Sequence, residues 1–266
     1  MCYSPLFVRG TYVPCGKCYE CLIQKSNEWA YRVCLEAKDK PACMITLTYN
    51  EESLPDGQAV SKAELQKFIK RLRKKISPCA IKYFGCGEYG KKFSRPHYHV
   101  VIIGWKPDDL LYFYTDNKHT PLYRSQTIET LWKKGFSSVG ELNLKTARYA
   151  VKYLQKNPPH KQKPFTLMSK GIGYANFNDD WLVSDKIYID GKYIKIPRYF
   201  LTKAEQKGID LTVFKERRKA RFNSEYLSND TCVTAFNDCK RIFDTPALIA
   251  DCSRRKKKFE KIFKNS

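Results

Sequence analysis

The sequence is poor in acidic residues and has no long apolar run. It contains 27 Asp and Glu against 49 Lys and Arg, which gives a formal net charge of +22. No apolar stretch approaches the ~20 residues that a membrane-spanning helix needs. The start of the chain also lacks the basic lead and apolar stretch of a secretory signal. We therefore expect no membrane partner, and a polyanion, nucleic acid above all, as the partner of so basic a chain.

The composition also excludes wholesale disorder and a small secreted fold. With 42% hydrophobic and 14% aromatic residues, the 266-residue chain can bury a substantial core. Its eleven cysteines are odd in number and scattered along the chain, which favours a reducing compartment over a disulfide framework.

The order of hydrophobic patterns indicates an α+β fold. Ser61 and Glu64 form a capping box that starts an amphipathic helix. Other helical patterns cover 24–37, 128–133 and 145–156, strand patterns cover 42–49, 81–87, 97–104 and 136–142, and a hairpin pattern covers 187–196. The stretch that contains Asp108, Asp109, Asp116 and Pro121 is predicted as a loop. We expect a sheet with helices on one face.

The most specific motif is the pair His97 and His99, which are two of only four histidines. In a strand, residues i and i+2 point to the same face, so both imidazoles can bind one metal ion. Glu88 can lie beside them if its strand and theirs form an antiparallel hairpin. Two histidines and one carboxylate leave positions open for water or a phosphate oxygen on a divalent ion. A surface histidine pair on an edge strand is the alternative.

A second motif follows in the predicted helix RYAVKYLQK. At ~100° per residue, one arc of this helix carries two tyrosines and two lysines. These residues are Tyr149, Lys152, Tyr153 and Lys156. The opposite arc is apolar and can pack on the sheet; it carries Ala147, Ala150, Val151 and Leu154. An exposed aromatic pair among solvated lysines is the alternative interpretation.

Together these motifs resemble the HUH endonucleases, and in particular their rolling-circle replication initiators. The closer resemblance is to the initiators of small single-stranded DNA bacteriophages, within Microviridae the gokushovirus branch. It rests on PCGKCYEC at 14–21, FGCGEYG at 84–90, RPHYHVVIIG at 95–104 and IPRYF at 196–200. It covers roughly residues 1–200. It implies a Cys-rich segment (1–40), an HUH endonuclease core (41–200) and a basic, mainly helical tail (201–266).

The resemblance implies a ferredoxin- or RRM-like central antiparallel sheet with flanking helices. It also implies an enzyme that nicks the viral origin through a 5′-phosphotyrosine and rejoins the strand. Mg²⁺ or Mn²⁺ would be held by Glu88, His97 and His99. The catalytic residues would be Tyr149, Tyr153, Lys152 and Lys156.

The implied partners are single-stranded viral origin DNA and the host replicative helicase and polymerase, in the host bacterial cytoplasm. The sequence contains no GxxxxGK[ST] motif, so the helicase is expected to come from the host. An HUH transposase or relaxase is the nearest alternative. A non-catalytic basic DNA-binding or packaging protein is the alternative from another class.

A cysteine cluster near the start of the chain is a further candidate site. Cys2, Cys15, Cys18 and Cys21 supply four thiolates, which is enough for a tetrahedral Zn²⁺ ion. The spacing lacks a well-separated second CxxC pair, so reduced packing cysteines are the alternative.

Overall fold

The computed structural model describes residues 6–8, 11–90, 94–116, 119–152, 163–184, 186–189 and 192–218. The helices are α1 (Tyr19–Ala37), α2 (Lys62–Lys75), α3 (Gln126–Trp132), α4 (Leu144–Lys152), α5 (Trp181–Ser184) and α6 (Arg198–Gln206). The first strands are β1 (Leu6–Val8), β2 (Thr11–Val13), β3 (Ala42–Tyr49), β4 (Lys82–Tyr89), β5 (Pro96–Ile103) and β6 (Leu110–Thr115). They are followed by β7 (Pro121–Ser125), β8 (Gly135–Glu141), β9 (Phe165–Met168), β10 (Lys186–Ile189) and β11 (Lys192–Lys195).

The described residues fall into two compact units. One unit takes its described residues from 1–24, 179–187 and 193–266, and the other consists of those in 25–178 and 188–192. The second unit contains a seven-stranded sheet in the order β6-β7-β8-β3-β5-β4-β9. Every strand pair in this sheet is antiparallel. The predicted α+β class, with a large antiparallel sheet and flanking helices, is confirmed.

One face of the sheet packs against α2 and α3. The Ser61 hydroxyl accepts a hydrogen bond from the backbone N–H of Glu64 at 3.4 Å, so the predicted N-cap of α2 is confirmed. From α2, Leu65 and Phe68 are fully buried, as is Trp132 of α3. They pack in one cluster with the apolar residues of β3 and β5. This cluster is the larger of the two cores.

The opposite face packs against α1 and α4. Val33 of α1 and Ala147 and Val151 of α4 are fully buried in a second cluster, which includes Val101 and Ile103 of β5. The prediction of helices on one face is therefore wrong. The run VVII in β5 is apolar at consecutive positions, and such a run is typical of a strand buried on both faces.

The loop predicted ahead of α3 is also wrong, because β6 and β7 form a hairpin at the edge of the sheet. The residues of β6 are mostly exposed, so its sequence LLYFYT does not alternate between apolar and polar positions. The turn between the strands is closed by Asp116, whose carboxylate accepts from the Thr120 N–H at 2.8 Å. Within the described residues, no helix is long and apolar enough to cross a membrane.

Candidate active site

Strand register brings the metal-ligand candidates to one face of the sheet. Glu88 of β4 lies directly opposite His97 of β5, and Thr46 of β3 lies opposite His99. Directly paired residues of antiparallel strands share a face. Glu88, His97 and His99 therefore lie on the same face. Along β5 this face continues into Val101, so it is the face that α1 and α4 cover.

Glu88 and His99 form a buried polar pair. Nε2 of His99 lies 3.1 Å from Oε1 of Glu88, and the two residues are only 4% and 5% exposed. Nδ1 of the same ring lies 3.1 Å from the Thr46 hydroxyl oxygen. Both ring nitrogens of His99 thus have defined partners, which fix the plane of the imidazole.

His97 is oriented by the backbone. Its Nδ1 donates to the carbonyl oxygen of Arg95 at 2.7 Å. A carbonyl can only accept, so Nδ1 carries the proton and Nε2 presents its lone pair. Burial lowers the pKa of His97 below its ordinary value, although the bond to Arg95 acts in the opposite direction. The neutral ring that results is the form that binds metals.

The ring of His97 also lies against Gly90. A Cβ at Gly90 would come within 2.9 Å of Cε1 of the ring, so the position needs a glycine or a displaced imidazole. The ligand atoms of Glu88, His97 and His99 are not all as close as 4.8 Å to one another. Among the described residues, the group that reaches this closeness is Cys15, Cys18 and Cys21.

Tyr149 of α4 reaches the same place on the sheet. Its ring packs edge-on against the imidazole of His99, with 5.2 Å between ring centroids and 79° between ring planes. The apolar arc predicted for this helix is confirmed for Ala147, Ala150 and Val151, which are fully buried. Tyr149 is half-buried at the edge of that cluster instead of lying on a fully exposed face.

Hydrogen bonds from two other elements fix α4 above the strands. The Cys86 thiol donates to the carbonyl oxygen of Ala150 at 3.3 Å. The Ser26 hydroxyl of α1 donates to the carbonyl oxygen of Val151 at 3.3 Å. Cys86 is paired with His99 across β4 and β5, so the bond acts beside the histidine that Tyr149 touches.

The remaining predicted site residues are described only in part. Lys152 is the last described residue of α4, and the description covers its backbone alone. Tyr153 and Lys156 lie outside the described residues, and so does Cys2. The roles predicted for these four residues stay predictions.

An exposed phenylalanine continues the row of site residues across the sheet. Phe136 of β8 pairs with Thr48 of β3, which in turn pairs with His97. Its side chain is 63% exposed although it lies on the face that carries the histidines. The sequence analysis did not single out Phe136, Thr46, Cys86 or Ser26, because only the strand register and helix packing bring them to the site.

The family model of the replication-associated protein ORF2 matches residues 42–158, a range that contains Glu88, both histidines and Tyr149. The chain is 35% identical over 236 residues to the replication-associated protein ORF2 of Spiroplasma virus 4. That alignment covers 78% of this chain and 73% of the relative. The chain belongs to this family of replication-associated proteins. The resemblance to the replication proteins of small bacteriophages is thereby confirmed.

Two further members of the replication-associated family support the assignment. The chain is 29% identical to the replication-associated protein ORF4 of Chlamydia phage 1, over 71% of this chain and 52% of the relative. It is 33% identical to the replication-associated protein VP4 of Bdellovibrio phage phiMH2K, over 55% of this chain and 49% of the relative. The matches thus span about half the length of these two relatives. No solved structure matches the chain significantly.

Proposed function

We propose that this replication-associated protein is an HUH-type, metal-dependent single-strand DNA endonuclease that initiates rolling-circle replication of a phage genome and rejoins the strand. One observation carries the proposal. The Glu88–His99 pair is buried on the sheet face with the Tyr149 ring packed against His99. A carboxylate, imidazoles and a tyrosine on one face provide a candidate ion site and a candidate nucleophile together.

The topology around the site also supports the proposal. The succession β3-α2-β4-β5-α3-β8 is the β-α-β-β-α-β succession of ferredoxin-like units. These four strands stand in the order β8-β3-β5-β4. The arrangement makes β3 and β5 central neighbours, so the histidine strand lies in the middle of the unit.

The donor set fits a divalent ion. Two imidazoles and one carboxylate share a face, and two of the three groups are almost fully buried. In our proposal Glu88, His97 and His99 hold Mg²⁺ or Mn²⁺, and the bound ion supplies positive charge that polarises the scissile phosphate. The lone pair of His97 Nε2 is available for this role because the Arg95 carbonyl holds the proton on Nδ1.

Thr46 gives His99 the freedom that ligand binding requires. A carboxylate accepts, so Nε2 of His99 donates to Glu88 and Nδ1 accepts from the Thr46 hydroxyl. When His99 acts as a ligand through Nε2, its proton moves to Nδ1 and the same hydroxyl accepts instead. Thr46 can therefore hold the ring in either tautomer.

The reaction exchanges one phosphodiester for another. The phenol oxygen of Tyr149 attacks the phosphorus, the bond from phosphorus to the preceding 3′-oxygen breaks, and the DNA 5′ end becomes esterified to the tyrosine. The proton that the phenol loses is balanced by the one that the leaving 3′-oxygen gains. A phenol with an ordinary pKa of ~10 needs nearby positive charge to ionise, a role that we propose for Lys152 and Lys156. Tyr153 is the proposed second nucleophile.

The proposed partner is the single-stranded viral origin, and the ester keeps the energy needed to rejoin it. The 3′-OH that nicking releases can prime synthesis by the host polymerase, while a host helicase separates the strands. We place this reaction in the cytoplasm of the bacterial host. The net charge of +22 supports binding to the phosphate backbone.

The decisive experiment incubates the chain with labelled single-stranded origin DNA and Mg²⁺ or Mn²⁺. A covalent adduct that survives boiling in detergent is expected to appear on a denaturing gel. Glu88→Gln should abolish it, because the amide keeps the size of the side chain but loses its charge. Glu129→Gln is the matched control, since Glu129 pairs with Arg124 near the surface of α3 and β7. The proposal fails if the wild type forms no adduct with either ion, or if Glu88→Gln reacts normally.

A further inference from the structure

Three cysteine sulfurs lie together around the start of α1. The sulfur atoms of Cys15, Cys18 and Cys21 all lie within 4.8 Å of one another. The distance between Cys15 Sγ and Cys21 Sγ is 4.0 Å. Cys15 and Cys18 precede the helix, whereas Cys21 lies in its first turn. These residues belong to one compact unit and are not part of the candidate active site.

The backbone around Cys15 is arranged to stabilise a thiolate. The N–H groups of Lys17 and Cys18 both donate to Cys15 Sγ, at 3.4 Å and 3.2 Å. Gly16 has a φ of 71°, a left-handed conformation that residues other than glycine rarely adopt, and it allows the tight turn that aims both groups at the sulfur. The adjoining first turn of α1 adds the positive end of the helix dipole.

The alternatives for this cluster fit less well. Cys15 and Cys18 are half-buried, so they are not simply filling a core. A disulfide would bring two sulfurs to about 2.05 Å and leave the third thiol unused. An iron–sulfur cluster binds each thiolate through a different iron and would hold the sulfurs farther apart.

We propose that Cys15, Cys18 and Cys21 bind one structural Zn²⁺ ion as thiolates. A Zn–S bond of about 2.3 Å in a tetrahedral site separates sulfurs by about 3.8 Å, close to the 4.0 Å observed. Zinc binding releases the three thiol protons to solvent. The fourth ligand comes from outside the described residues, and the sequence offers Cys2 for it.

This ion has a different place and a different role from the one proposed at the histidines. Thiolates are soft ligands that select zinc, whereas the carboxylate-containing site suits a harder ion that must stay open to phosphate. A closed thiolate site contributes to folding and does not take part in the chemistry. The inference stands whether or not the chain is a nuclease.

The test measures the zinc content of the full chain after purification under reducing conditions. Wild type should carry about one zinc per chain, as a closed structural site requires. The double variant Cys15→Ser/Cys18→Ser should lose it. Cys79→Ser is the matched control, because Cys79 is exposed and donates to the Gly104 carbonyl, which a serine hydroxyl can still do. The control should keep its zinc.

A second measurement decides the matter even if the double variant does not fold. Wild type reconstituted with Co²⁺ should show the intense visible absorption of a tetrahedral thiolate site, and the substitution His99→Ala should leave that absorption unchanged. Wild type without zinc would overturn the proposal. So would bound iron, or zinc that stays with the double variant and leaves with His99→Ala.

Discussion

The substitution Phe136→Ala tests whether the sheet face that carries the histidines also holds a DNA base. Phe136 lies two strand intervals from His97 in the same row, which at about 4.8 Å per interval is about 10 Å. A base stacked on its ring would therefore belong to a nucleotide within a few positions of the scissile phosphate. The side chain is 63% exposed, so its loss should change the stability of the fold by no more than about 0.5 kcal/mol.

The expected effect on binding is much larger than the effect on stability. Stacking of one base on an aromatic ring is worth about 1–3 kcal/mol. Since about 1.4 kcal/mol is tenfold in affinity, Phe136→Ala should weaken binding of single-stranded origin DNA by roughly 5- to 150-fold. Phe136→Trp, which keeps a stacking surface, should bind about as well as wild type.

Fluorescence anisotropy with a labelled oligonucleotide measures this affinity directly. Tyr188→Ala is the matched control, because Tyr188 is also 63% exposed and lies on β10, outside the seven-stranded sheet. An abasic site scanned along the oligonucleotide should weaken wild-type binding at one position near the nick, and Phe136→Ala should bind that oligonucleotide no worse than the intact one. Wild-type affinity in Phe136→Ala, or an equal loss in Tyr188→Ala, would refute the stacking role.

Three further predictions concern the ion, the charge and the tyrosines. His97→Ala with His99→Ala should abolish nicking in the gel assay but largely keep non-specific DNA binding in anisotropy, because binding depends on many phosphate contacts; joint loss of binding and fold would mark the histidines as structural. Affinity for single strands should fall with salt, with a log–log slope of about −0.7 per phosphate neutralised, and a flat titration would contradict the nucleic-acid interpretation. Tyr149→Phe and Tyr153→Phe should each nick a short origin oligonucleotide while the double variant does not. If one single variant alone removes all adduct and the other circularises normally, the two tyrosines do not alternate.

Local patterns predicted the elements whose burial is simple. The capping box at Ser61 and the apolar period of α2 come from interactions within one helix, so the sequence contains the whole signal. The edge strand β6 was missed because most of its side chains are exposed and show no alternation. Its pairing with β7 is a long-range property that no local pattern reports.

The site divides in the same way. The spacing of His97 and His99 predicts a shared face, because that is a property of one strand. The Thr46 contact with His99 joins residues 53 positions apart, and the Ser26 contact with Val151 joins residues 125 apart. Such contacts depend on register and packing across the sheet. The sequence could therefore predict which side chains share a strand face but not which groups orient them.

The motif RPHYHVVIIG links the core and the site on a single strand. One face of β5 carries His97, His99, Val101 and Ile103 in succession, so it changes from imidazole to aliphatic along its length. The aliphatic end gives α4 an apolar surface on which its buried arc packs. Because the same helix extends over the polar end, Tyr149 comes against His99 instead of pointing into solvent. The hydrophobic packing that holds the helix therefore also sets the distance between the tyrosine and the candidate ion ligands. Enlarging Ala147, which is fully buried, should disturb both together.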